Sequence, residues 1–261
     1  MKKITIIGGG NMGGAIALGL QKGKMIPAAN ITISDASETT LDKFRSISSD
    51  WKLTTSNKDA IEGADIIIIA VKPWLVETVA DEIEKKIDYK KQILISIAAG
   101  VEIEKLKKLF DKEATIFRII PNTAIEVLES VSSIAFYNAT DEQVQLIKSI
   151  FDELGKTFVV NESQLNAYMS LSSCGIAYAF RYIRAATEGG VEMGIYPNIA
   201  KEVVMQTLKG AILLLEANQS HPEVEIDKVT TPGGITIKGL NEMEANGFSN
   251  SVIKGLKKSN V

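Results

Sequence analysis

Three glycines near the start of the chain, Gly8, Gly10 and Gly13, stand in G-x-G-x-x-G spacing between an apolar run and an amphipathic one, in K-K-I-T-I-I-G-G-G-N-M-G-G-A-I-A-L-G-L. A strand that feeds a helix through such glycines makes a tight turn. It lets backbone approach a pyrophosphate, and it leaves that anion on the helix N-terminus, where the first N–H groups have no partner. Taken alone the spacing is common. Here a second strand, residues 31–34, ends at Asp35, about 20 residues beyond the glycines, where an acidic side chain meets the ribose 2′-hydroxyl of NAD. Gly8, Gly10, Asn11, Met12, Gly13 and Asp35 are therefore the first candidate cofactor contacts, with a cap on the following helix as the alternative role for Asp35.

The remainder of residues 1–160 continues the pattern that such a turn requires. Candidate strands at 3–7, 31–34, 52–54, 65–71, 92–97 and 115–120 alternate with helical segments, and runs such as I-I-I-I-A-V suit central strands buried on both faces. Two more strands, 131–137 and 156–160, flank a helix opened by Thr140-Asp141-Glu142, a good capping sequence. The expectation is a doubly wound, Rossmann-type parallel sheet over residues 1–160. After Asn161 the strand signal ends. Residues 164–193 carry apolar side chains on most faces, Pro197 opens a further helix through Leu215, and short helices follow. An all-α domain over residues 161–261 with so broad an apolar surface calls for a partner subunit, hence a homodimer, or else for packing within its own chain.

Composition narrows the chemistry. A net charge of −3 without a basic cluster argues against nucleic acid as a partner, and the longest apolar run, residues 66–71, is strand-length rather than a membrane span. These features fit a cytoplasmic protein with no membrane partner. One Cys and one His, Cys174 and His221, supply neither a zinc site nor a conventional triad, so no metal is expected. His221, in S-H-P-E, reads as a capping or solvated residue, and Cys174 as a small buried side chain at a helix start.

A second turn motif lies near the other end, V-T-T-P-G-G-I-T-I-K-G-L, residues 229–240. Thr231, Gly233, Gly234, Ile235 and Thr236 place a Pro-Gly-Gly turn against a helix N-terminus, which attracts a carboxylate or phosphate, and Thr236 adds a hydroxyl in the first turn. An ordinary helix start is the plainer account of the same residues.

With both ends in view, the chain resembles pyrroline-5-carboxylate reductase. The likeness runs nearly end to end: I-I-G-G-G-N-M-G at 6–13, T-S-N-K at 55–58, A-V-K-P at 70–73, S-I-A-A-G at 96–100, R-I-I-P-N-T at 118–123, G-G-V-E-M-G at 189–194, His221-Pro222, and T-P-G-G-I-T-I from Thr231. The resemblance implies reduction of 1-pyrroline-5-carboxylate to L-proline by hydride transfer to a C=N bond, with NADH or NADPH as cofactor. It implies that Ala70, Val71, Lys72, Pro73, Ala98, Gly100 and Asn122 border the nicotinamide side and that Asn57 contacts the adenosine side, although Asn57 reads equally well as a helix N-cap. The backbone N–H groups of Gly234, Ile235 and Thr236 would hold the substrate carboxylate, with the Thr236 hydroxyl at the ring nitrogen as the catalytic contact. Arg118 is expected to pair structurally with an acidic neighbour. Asp35, followed by Ala36-Ser37-Glu38-Thr39-Thr40 without Arg or Lys, points to NADH as preferred and NADPH as possible. Departures from the family pattern include Ile176, which replaces a proline, and Glu223 and Glu225, which make the segment after His221-Pro222 more acidic.

Overall fold

The computed structural model describes residues 1–260. Eight strands, β1 (Ile4–Ile7), β2 (Ile31–Ser34), β3 (Lys52–Thr54), β4 (Ile66–Ile69), β5 (Ile93–Ser96), β6 (Thr115–Ile120), β7 (Ser130–Tyr137) and β8 (Gly155–Val159), form one sheet in the order β3-β2-β1-β4-β5-β6-β7-β8. Helices α1 (Asn11–Lys22), α2 (Glu38–Arg45), α3 (Asn57–Ala60), α4 (Val76–Ile83), α5 (Ile103–Leu109) and α6 (Asp141–Asp152) cover it. The order reverses between β1 and β4. That reversal opens a crevice at the C-terminal strand ends, where sheets of this kind bind ligands.

The isoleucine runs explain the layering. In register, Ile4, Ile31, Ile66 and Ile93 lie side by side, as do Ile6, Ile33, Ile68 and Ile95, and this face packs with Ile16 and Leu20 of α1, Leu41 and Phe44 of α2, and Ile147, Ile150 and Phe151 of α6. Alternate residues Ile67, Ile69 and Leu94 point the other way onto Val76, Val79 and Ile83 of α4 and Leu106 of α5. Each buried isoleucine contributes about 1.5–3 kcal/mol of transfer free energy, so both faces hold the central strands.

The sheet is mixed rather than wholly parallel. The first six strands are parallel, but β6 and β7 pair antiparallel, Ile116 with Tyr137 through Ile120 with Ser133. Residues 121–129 hold only a short 3₁₀ turn, too little for the crossover helix that a parallel neighbour needs. Thr140 caps α6 through a full capping box with Gln143, as its sequence promised.

The strand pattern ends at Val159, and the chain divides into two compact units between Ser173 and Cys174. The intervening residues begin a continuous helical run, α7 (Leu165–Met169), a π-helical segment (Ser170–Cys174) and α8 (Gly175–Glu192). Cys174 stands at the start of α8, as expected, but is half-buried rather than buried. The second unit continues with α9 (Pro197–Asn218), α10 (Pro222–Val229), α11 (Ile235–Ala245) and α12 (Phe248–Ser259). Its described residues include just two buried ones, Gly190 of α8 and Ala200 of α9, packed so closely that a Cβ on Gly190 would lie 2.9 Å from that of Ala200. Tyr196, Val203, Ile212, Leu213, Leu214 and Ile253 are all exposed on this unit. No helix among the described residues is long and apolar enough to cross a membrane.

Candidate active site

The first turn is built as a cradle. Gly8 has φ +102°, and a Cβ there would meet the Ala70 carbonyl oxygen at 2.7 Å, so neither the conformation nor the space admits a side chain. A Cβ on Gly13 would meet the Gly8 carbonyl oxygen at 1.9 Å, because α1 packs directly on the turn. Gly10 differs: it caps α1, and a Cβ there meets nothing within 4 Å. That open space faces a helix N-terminus with no side-chain cap and no acidic residue in its first turn, so the first N–H groups are available to an anion. Asn11 is exposed and Met12 half-buried beside it. These features fit a dinucleotide pyrophosphate.

Asp35 joins this turn to the end of β2. Its Oδ2 accepts from the Gly9 N–H at 2.8 Å and its Oδ1 from the Ser37 N–H at 2.9 Å. The cap of α2 is Ser37, whose hydroxyl accepts from the Thr40 N–H. Asp35 is therefore free of the capping role, and with one hydrogen bond on each oxygen it keeps lone pairs for a ribose.

Asn57 is likewise not the cap of its helix, since Ser56 accepts from the Asp59 N–H. Its amide is held at both ends instead, Oδ1 by the buried Ser34 hydroxyl at 2.7 Å and Nδ2 on Glu82 Oε2 at 2.7 Å. Nothing in the local sequence pointed to Glu82.

The C-terminal ends of β4, β5 and β6 bring the other candidates to one edge. Ala70 and Val71 are half-buried, Lys72 is exposed, and Pro73 starts a 3₁₀ turn. Gly100 is exposed with φ +75° and open space around it. Ala98 and Asn122 are buried, by contrast. Ala98 packs in the core, and Asn122 caps the following turn through the Ala124 N–H, so neither side chain is exposed at this edge. Arg118, 3% exposed, pairs with Glu162 at 2.8 Å, and the same carboxylate oxygen accepts from the Ile103 N–H. Its acidic neighbour thus comes from the 3₁₀ turn, Glu162–Gln164, just ahead of α7. Ser173 Oγ donates to the Pro121 carbonyl, which ties the π-helical segment to the loop after β6.

In the second unit, Thr231-Pro232-Gly233-Gly234 forms a type II turn. Pro232 leads, Gly233 takes φ +74°, and the Gly234 N–H donates to the Thr231 carbonyl at 2.9 Å. That bond corrects one expectation: the Gly234 N–H is consumed by the turn, so the free donors begin at Ile235. A Cβ on Gly234 would lie 2.6 Å from Thr231 Oγ1, which explains the second glycine. Ile235 is 87% exposed at the head of α11, and Thr236 is exposed with no side-chain partner among the described residues.

The acidic departure after His221 also has a local account. His221 caps α10, its Nδ1 accepting from the Glu223 N–H at 3.2 Å. Glu225 accepts from Lys228 at 2.7 Å, from the Ser220 hydroxyl and from Asn218, and the Lys228 bond first, then that of Ser220, holds its carboxyl down to about 2. It fastens the turn between α9 and α10. Nothing in the structure explains why isoleucine stands at 176.

Known families align with both halves. The family described as pyrroline-5-carboxylate reductase dimerisation matches residues 162–260, and that described as NADP oxidoreductase coenzyme F420-dependent matches residues 3–100. Pyrroline-5-carboxylate reductase 1 of Dictyostelium discoideum is 37% identical over 97% of this chain, which spans 48% of that relative, about half its length. Pyrroline-5-carboxylate reductase 2 of the same organism is 35% identical over 98% of this chain and 90% of its own. The chain belongs to the pyrroline-5-carboxylate reductase family. A solved pyrroline carboxylate reductase of Plasmodium falciparum with NADP bound superposes with a TM-score of 0.91 at 26% identity, covering 99% of this chain and 95% of that one. Family membership makes this chain a nicotinamide-dependent oxidoreductase that self-associates. It also bears out the likeness drawn from the motifs.

Proposed function

We propose that this member of the family reduces 1-pyrroline-5-carboxylate to L-proline, with NADH preferred over NADPH, in a homodimer whose helical units cover one another. The observation that carries the reading is the type II turn ahead of α11, with free first-turn N–H groups and an unpartnered Thr236 hydroxyl. The N–H groups of Ile235 and Thr236 suit the substrate carboxylate, since a helix N-terminus favours an anion. The Thr236 hydroxyl, able to donate or accept, suits the ring nitrogen. A bound reduced nicotinamide supplies the hydride to the C=N carbon. An imine protonates readily on its own, so the residues of this chain need only orient the ring and bond its nitrogen, and neither His221 nor Cys174 is required.

Asp35 supports the cofactor preference: its remaining lone pairs accept from ribose hydroxyls, and its charge repels a 2′-phosphate. The Ser37 hydroxyl, the nearest polar side chain after Asp35, is already engaged with the Thr40 N–H and the Thr39 hydroxyl, 2.7 Å away, and carries no charge to offset a 2′-phosphate. A β-hydroxyacid dehydrogenase of similar plan needs a general base, usually a lysine on the long helix, and residues 164–193 contain none. The test is an assay of purified protein with the imine and each reduced cofactor, following cofactor oxidation and proline formation. Turnover faster with NADH supports the whole reading. No turnover from a folded sample that binds cofactor refutes the activity, and a fully active monomer at micromolar concentration refutes the dimer.

A further inference from the structure

We propose that Glu82, on α4, is a positioning residue for the adenosine half of the cofactor, acting by fixing which way the Asn57 amide faces. The proposal rests on the cofactor reading above.

Topology supplies the first step. The crevice opens where strand order reverses between β1 and β4, so the β1, β2 and β3 ends form its adenosine half. Asn57 stands there, directly after β3, and its side chain bonds Ser34, the last residue of β2 and the neighbour of Asp35.

Hydrogen-bond chemistry supplies the second. An amide presents oxygen on one side and NH₂ on the other, and only a partner of fixed polarity distinguishes them. The Ser34 hydroxyl is no such partner, because it can turn to donate to Oδ1 or to accept from Nδ2. The Glu82 carboxylate only accepts, so it admits Nδ2 alone, at 2.7 Å, and leaves Oδ1 for Ser34 at 2.7 Å. The amide then keeps one N–H and one lone pair in known positions for a ligand. Glu82 is itself exposed, so the bond adds little to folding and its effect falls on the orientation of Asn57. Because α4 follows the Ala70 to Pro73 turn, the same bond ties the helix behind the nicotinamide edge to the adenosine edge.

The experiment measures dissociation constants for NADH and NADPH by cofactor fluorescence on the whole protein, for wild type, Glu82→Leu, Glu82→Gln, Asn57→Ala and the Asn57→Ala/Glu82→Leu pair. Without Glu82 the amide flips and rotates, and a competent fraction of roughly one-third to one-tenth raises both constants about three- to tenfold. Glu82→Gln, which keeps an acceptor but no fixed polarity, falls between wild type and Glu82→Leu. In the Asn57→Ala background the leucine adds less than about 1.5-fold, and the unfolding midpoint of Glu82→Leu stays within about 2 °C of wild type. Unchanged affinity in Glu82→Leu, with wild type binding normally, overturns the proposal alone. So does an equal loss in the Asn57→Ala background, or tighter NADPH with NADH unchanged, which is simple charge removal. Failure of the wild type to bind either cofactor overturns the proposal together with the cofactor reading.

Discussion

Gly10→Ala separates binding from folding within a single turn, and Gly13→Ala is its control. At Gly10 the backbone has φ −68° and ψ −165°, open to any residue, and the added methyl meets nothing within 4 Å. The cost to the fold should be within about 0.5 kcal/mol, since a modest loss of cap preference is offset by a stiffer unfolded chain. At Gly13 the methyl would lie 1.9 Å from the Gly8 carbonyl oxygen, where an ordinary contact is about 3.3 Å, and that partner is backbone rather than a flexible side-chain tip. The turn must move by more than about 1 Å, a strain of about 3 kcal/mol, or roughly 6–12 °C in the unfolding midpoint. Binding should behave differently. On the cofactor reading the Gly10 methyl would stand between a bound pyrophosphate and the α1 N–H groups, and losing one charge-assisted hydrogen bond, about 1.5–3 kcal/mol, raises the NADH dissociation constant about 10- to 150-fold. Thermal unfolding without cofactor and NADH fluorescence titration on both variants read the two effects. A Gly10→Ala protein that binds NADH within about threefold of wild type, or that melts as low as Gly13→Ala, would falsify the assignment of that space to the cofactor.

Other outcomes follow from the same geometry. Thr236→Val removes a hydroxyl that no described residue bonds, so the turnover rate should fall about 10- to 100-fold with the midpoint nearly unchanged; normal turnover would reduce Thr236 to a helix-start residue. Asp35→Ser is too short to reach both the Gly9 and Ser37 N–H groups, and the NADH preference, about tenfold in specificity, should shrink, as kcat/KM with both cofactors will read; an unaltered ratio would clear Asp35 of the role. Glu225 is depressed to about 2 in the folded chain, so its contribution to stability is present above its unfolded value near 4.5 and is lost as pH falls through about 2. Glu225→Gln should therefore melt below wild type at pH 7 and converge with it near pH 2, and parallel curves across that range would contradict the assignment.

The sequence made some of this readable and hid the rest for identifiable reasons. Continuous apolar runs located β1, β4 and β5 because strands buried on both faces need no alternation. The Gly8 to Gly13 spacing and the Pro-Gly-Gly turn were legible because φ and the missing Cβ are local properties. The antiparallel turn into β7 depended on how far residues 121–129 reach, which hydrophobic pattern does not encode. Glu82 on Asn57 and Glu162 on Arg118 are bonds between residues far apart in the chain, and an acid on a helix looks the same whether it faces water or an amide. The commitment of the Gly234 N–H followed from turn type, which the residues Pro232 and Gly233 already specified.

A helical unit whose described residues bury only Gly190 and Ala200 has almost no interior to fold around. In the proposed homodimer its hydrophobic driving force is realised where two chains meet, so the final phase of refolding should be bimolecular, its half-time shortening in proportion as protein concentration rises. Substitutions at Leu213 or Ile212 would then register as defects in maturation, not as loosened complexes of intact subunits.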